Sequence, residues 1–241
     1  MTGGIDHLSG LTEFQDDFLD VLGHADPGVR VPWCGRWRVR NLAVHLGRIH
    51  HWAAAQARRQ RETPLGRGPF ELAPFYAEQA AELRATLAEL DPAQRAWTLL
   101  DDGVPPQERS GTVAFWHRRQ ALETLIHLWD LRTAIGDAEP AVSAAWWIDC
   151  LDEVATVMHP RQIRLARIRP PSATLIFRPS ETGDPVPLTG AENGAATVTI
   201  EGPARTLALL AWGRADLDAP ELSVHGPREA AAGVLAAGLS P

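Results

Sequence analysis

Residues 111–136, GTVAFWHRRQALETLIHLWDLRTAIG, decide how the rest of the chain is to be read. With Glu123 set at zero and about 100° added per residue, Trp116, Gln120, Glu123, His127, Asp130 and Ala134 fall within about 40° of one line. Leu122, Leu125, Ile126, Leu128 and Trp129 cover much of the remaining circumference. A helix that is apolar on several sides is normally buried. Its polar line then faces an interior, where a carboxylate and an imidazole need partners. Glu123 and His127 are one turn apart and can converge on one atom. Such a pair occurs at metal sites and also as a plain surface contact.

The chain has 241 residues, 45% apolar and 22% charged, an ordinary balance for a folded protein with a sizeable core. Its net charge of −7 argues against a general nucleic-acid surface. All 23 basic residues are Arg. The absence of Lys excludes Lys Schiff-base chemistry and any phosphate loop that depends on Lys. No apolar stretch approaches the roughly 18 residues of a membrane span. The N-terminal MTGGIDHLSG has neither the basic start nor the apolar run of a signal peptide, so a cytoplasmic, reduced protein is expected. Cys34 and Cys150 lack metal-ligand spacing. Cys34, in a turn after Trp33, reads as a small half-buried residue rather than a nucleophile, and Cys150 reads as core.

Helical spacing recurs over residues 11–22, 39–61, 70–90 and 142–158. The turn-rich ADPGVRVPWCGRW separates the first two of these, Asp91-Pro92 closes the third, and Pro160 reads as the stop of the last. Beyond it, PRQIRLARIRPP reads as a linker or an initial strand. SATLIFRP, AATVTIEG and ELSVHG read as strands. GPARTLALLAWGR and GPREAAAGVLAAG read as short helices with Pro in the first turn. The predicted organisation is an N-terminal bundle of four or five helices over 1–160, followed by a small α+β domain over 165–241.

Three histidines lie on the second helix. Its stripe is Leu42, Leu46, Ile49 and Ala53; His45 is read as lying inside it, His50 near its edge and His51 almost opposite, so only His45 is expected to point inward. The second and fourth helices can then bring His45, Glu123 and His127 to one point in a bundle core, where metal sites are often built. Two imidazoles and a carboxylate suit Zn²⁺, Fe²⁺ or Ni²⁺ and leave positions open for water or substrate. A hydrogen-bonded core histidine is the competing reading on spacing alone. Asp130 either fixes the tautomer of His127 or pairs with an Arg such as Arg40. Trp116 reads as core or, with Gln120, as a wall of a pocket above the metal.

The run PWCGRWRVRNLAVHLGRIHHW, with His45-Leu46 inside it and Glu123, His127 and Asp130 downstream, resembles the mycothiol-dependent maleylpyruvate isomerase family, which is related to DinB-type four-helix bundles. LALLAWGRADLDAPELSVHGP resembles that family's second domain. The resemblance implies a DinB-like four-helix bundle followed by a small α+β domain. It implies a divalent metal, usually zinc, held by His45, Glu123 and His127. It also implies a low-molecular-weight thiol, typically mycothiol, as the nucleophile toward an electrophilic small molecule, in a cis-trans isomerase or a thiol S-transferase. Arg214 is the best positional match to the basic residue the family places near the substrate carboxylates, with a helix C-terminal cap as its other reading. Asn41 departs from the Asp the family often carries there. The alternative of another class is a non-catalytic DinB-like binding or regulatory protein.

Overall fold

The computed structural model describes residues 4–191 and 194–240. It divides into two compact units, Met1–Asp101 with Pro106–Ala141, and Asp102–Pro105 with Val142–Pro241.

The first unit is a bundle of α1 (His7–His24), α2 (Val39–Ala57), α3 (Leu72–Glu89) and α4 (Val113–Ile135). The first and second helices each pack against the third and fourth, so α2 and α4 are neighbours. Asp6 caps α1 by accepting the Ser9 N–H at 3.1 Å, which satisfies one of the free amides of the first turn. Leu11, Phe14, Phe18 and Leu22 then turn the predicted stripe into the core. Close approach of α2 and α3 is set at Gly47, where a Cβ would lie 2.6 Å from Phe75 Cε1. Phe75 cannot easily yield, because it is buried and stacked on Phe70 at 4.2 Å. The fourth helix stops at Gly136, whose left-handed backbone (φ 72°) lets the Asp137 N–H return to Arg132 O. Every side chain from Arg119 to Leu131 is buried, as the all-round apolar sequence predicted.

The second unit begins with α5 (Ala144–Glu153), a π-helical turn (Val154–Met158) and α6 (His159–Arg164). A mixed sheet follows, of β1 (Ala173–Pro179), β2 (Val186–Leu188), β3 (Ala196–Gly202) and β4 (Ser223–His225), in the order β2-β1-β3-β4. The two central strands are parallel, with Leu175 opposite Val198 and Phe177 opposite Ile200, all four buried. Helices α7 (Ala204–Ala211) and α8 (Arg228–Ala236) complete the unit.

Three expectations need correction. The helix expected to stop before Pro160 runs on to Arg164, so the segment read as a linker or strand is helical in its first half. Proline in a regular helix clashes with the carbonyl four residues back. Here the His159 N–H reaches Val154 O, five back, and the wider turn admits the ring. Pro203 and Pro227 are N-caps, one position before the first turn. The units part near residue 141 rather than 160, because α5 packs against α7. Strand β2 was not anticipated: Pro187 lies within it, which an edge strand tolerates. No helix among the described residues is long and apolar enough to cross a membrane.

Helix propensity alone makes Gly47→Ala stabilising by about 1 kcal/mol, whereas the contact with Phe75 makes it overpacked, at a cost of about 1–3 kcal/mol. Packing is expected to win, and a thermal melt of Gly47→Ala should fall several degrees below wild type.

Candidate metal centre

The three residues singled out by spacing do meet. His45 comes from α2, Glu123 and His127 from α4, and one ligand atom of each lies within 4.8 Å of the others. Glu123 Oε1 is 3.5 Å from His45 Nε2 and 3.4 Å from His127 Nε2. The two imidazoles stand edge to face, with centroids 5.1 Å apart, and Trp37 backs His45 at 4.7 Å. Glu123 and His127 are buried, while the His45 side chain keeps 30% of its surface and gives the cluster its access. A cavity of about 280 Å³ adjoins that open side, lined by His45, Arg48, Ile49, Trp52, Thr63 and Leu65 among others.

Asp130 is fully buried and accepts from His127 Nδ1 at 2.9 Å, so a proton is held on Nδ1 and Nε2 is turned toward Glu123. That contact fits the tautomer-fixing role, while Arg40 Nε donates to Pro27 O. Asp130 Oδ2 also receives the Cys34 thiol at 3.5 Å. Trp116 is core, its indole N–H bonded to Trp97 O at 2.8 Å.

Two residues escaped sequence reasoning. Arg119, buried one turn before Glu123, donates to Glu123 Oε2 and leaves Oε1 to the histidines. Burial pushes the Glu123 carboxyl up, but the Arg119 charge, followed by His127, outweighs it and holds the group well below the usual range. Burial likewise lowers His127, yet Glu123 and Asp130 together push it up to about 9. The i, i+4 spacing of Arg119 and Glu123 was the available signal.

The second is His50, expected at the edge of a stripe. It has no exposed surface and pairs through Nδ1 with Gln120 Oε1 at 2.9 Å, which takes Gln120 into the core pairing rather than a pocket wall. Burial lowers its pKa to about 4. His45, expected to be the only inward histidine, is the more exposed of the two. His51 pairs with Glu82 at 2.6 Å and with Thr63 O at 2.8 Å.

Arg214 belongs to the second unit. It follows α7 and donates to Trp212 O at 2.6 Å, a contact that fits its helix-capping reading. Cys150 is core.

Residues 8–132 match the family model described as the mycothiol maleylpyruvate isomerase N-terminal domain, and residues 138–233 match the one described as the MDMPI C-terminal domain. The fold matches two solved structures, one of a mycothiol-dependent maleylpyruvate isomerase and one of a histidine-to-alanine mutant of it. Each is 14% identical and aligns over 90% of this chain and 91% of the other, with TM-scores of 0.61 and 0.60. No curated relative matches the sequence.

His50 resists protonation in the folded protein until about pH 4, whereas an unfolded imidazole titrates near 6.5. Between those values the unfolded chain binds the extra proton, so stability falls as the pH is lowered. The His50 ring resonance should stay flat through that window in an NMR titration, and His50→Gln should lose part of the acid-induced drop in melting temperature.

Proposed function

The chain belongs to the mycothiol maleylpyruvate isomerase family, and from that premise we propose that it is a mycothiol-dependent enzyme centred on His45, Glu123 and His127. The observation that carries this reading is the convergence of three ligand atoms beside an accessible cavity. The donor set fits a divalent ion, Zn²⁺ first and Ni²⁺ or Fe²⁺ as alternatives. Donor separations of 3.4 and 3.5 Å are close to the roughly 3.4 Å that two bonds of about 2.1 Å subtend at a tetrahedral centre. Nε2 of each histidine and Oε1 of Glu123 would hold the ion. When bound, it lowers the pKa of a coordinated thiol, so that thiolate is available at neutral pH.

The chain's own residues prepare that centre. Asp130 keeps the His127 proton on Nδ1, and Arg119 occupies Oε2 of Glu123, so the remaining lone pairs share one direction. Burial of Glu123 and His127 keeps water from one side, while the open side of His45 admits the reactants.

In the isomerase reaction, the thiolate of mycothiol forms a C–S bond to a cis-enedioate conjugated to a ketone, and the π pair moves onto the ketone oxygen. Rotation about the new single bond follows. The enolate then re-forms the double bond in the trans arrangement and expels the thiolate, with no net gain or loss of atoms or electrons. In the S-transferase version, the enolate takes a proton and the thioether is retained. The proposal assigns Arg214 to pair with a substrate carboxylate.

Protein purified without added metal should carry about one equivalent of a divalent ion, and His127→Ala should lose it in elemental analysis. Mycothiol-dependent turnover of maleylpyruvate, followed by NMR, should vanish in Glu123→Ala. A wild type purified free of metal, together with a variant carrying alanine at all three positions that folds normally, would overturn the reading.

Asp130→Asn keeps the shape but removes the charge behind His127. It should weaken metal binding by about 10–100-fold in competition with a chelating dye.

A further inference from the structure

The second unit contains a cavity that the proposed chemistry does not use. It measures about 250 Å³, and its lining includes His159, Ile168, Arg169, Pro171, Ser172 and Val234. The inner wall is buried, with His159 at 0% and Val234 at 4% exposure. Arg169 and Ser172 are exposed, so the cavity opens to solvent on their side.

His159 is the unusual member. Neither of its ring nitrogens has a hydrogen-bond partner, although buried polar atoms are almost always paired. The π-helical turn sets its place, because its own N–H closes onto Val154 O, and such turns are frequent at functional sites. Burial lowers its pKa to about 4, so near neutral pH the ring is uncharged and offers one donor and one acceptor. A bridging water, with a share of about 30 Å³, would leave most of the cavity unfilled. The volume also lies just below the roughly 300 Å³ at which pockets for drug-sized ligands begin. Arg169 has no ion-pair partner among the described residues, and it supplies a cation at the mouth beside the Ser172 hydroxyl.

We propose that this cavity binds a small hydroxy- or oxo-carboxylate, with its carboxylate on Arg169 and Ser172, its apolar body between Ile168, Pro171 and Val234, and its hydroxyl or carbonyl oxygen on His159. Each part of the ligand answers one part of the lining. The charge meets a planar guanidinium, the carbon skeleton meets apolar walls, and the inner oxygen satisfies an imidazole that otherwise lacks a partner.

The test uses the full-length protein and two probes, 4-hydroxybenzoate and 3-hydroxybutyrate, with the His159 ring resonance read by ¹H–¹³C NMR. At least one probe should give a saturable shift of that resonance. Benzoate, which lacks the hydroxyl, and 4-hydroxybenzamide, which lacks the charge, should each bind about tenfold more weakly than 4-hydroxybenzoate if that is the probe that binds; for 3-hydroxybutyrate the corresponding controls are butyrate and 3-hydroxybutyramide. Arg169→Ala should weaken binding by a similar factor, and Ala237→Trp, which fills the exposed rim, should abolish it. Both variants alter exposed side chains, so the fold is retained and each can be checked by circular dichroism. The proposal is overturned if neither probe gives a saturable shift. It is equally overturned if the uncharged control binds as well as the acid and Arg169→Ala changes nothing.

Discussion

A carboxylate taken out of water inside a helix bundle has to be compensated on every side, and Glu123 imposes that condition on its surroundings. Removing one partner from a buried ion pair costs about 3–5 kcal/mol, so the groups around Glu123 are as constrained as Glu123 itself. Arg119 takes one carboxylate oxygen, and the two imidazoles face the other. Asp130 then supports His127 from behind. Along α4 the charged groups alternate in sign, arginine, glutamate, histidine and aspartate, at spacings of four, four and three residues. One face of one helix thus carries an almost self-neutralising row through the core. The outcome is a pocket of negative potential that holds a proton on His127 up to about pH 9, and a site with that preference favours a cation.

Backbone geometry performs the corresponding task in the second unit. Pro160 forbids a regular helix at its position, and the π turn resolves the conflict by lengthening the hydrogen-bonded ring. The helix therefore continues, and His159 ends up inside with no partner for its ring. The parallel pairing of β1 and β3 buries alternate residues on one side of each strand, Leu175 and Phe177 against Val198 and Ile200. Proline at an edge and proline before a helix are both tolerated there, since neither position needs the missing N–H.

How much of this was legible in the sequence depended on whether one element or two were involved. The all-round burial of α4 and its polar line followed from its own periodicity, and so did the strands β1, β3 and β4. The second face of α2 was written in the sequence but in a weaker hand. Ala43, Gly47, His50, Ala54 and Ala57 recur at four, three, four and three, and all are buried. They are small residues, or a histidine, so they contribute little to a stripe judged by large apolar side chains, and His50 was placed at an edge. The same emphasis left Arg119 unread, because an arginine on a helix is ordinarily a solvated residue.

By itself, then, the sequence determined which side chains share a line on a helix, because the helical repeat is a local property of the backbone. It also carried the family pattern around His45, Glu123 and His127. Tertiary structure alone decided that His50 rather than His45 is sealed, and that Arg119 is buried rather than solvated. Burial depends on how many neighbours an element has and how closely they approach. Those are relations between distant segments, which the periodicity of a single helix suggests but does not fix.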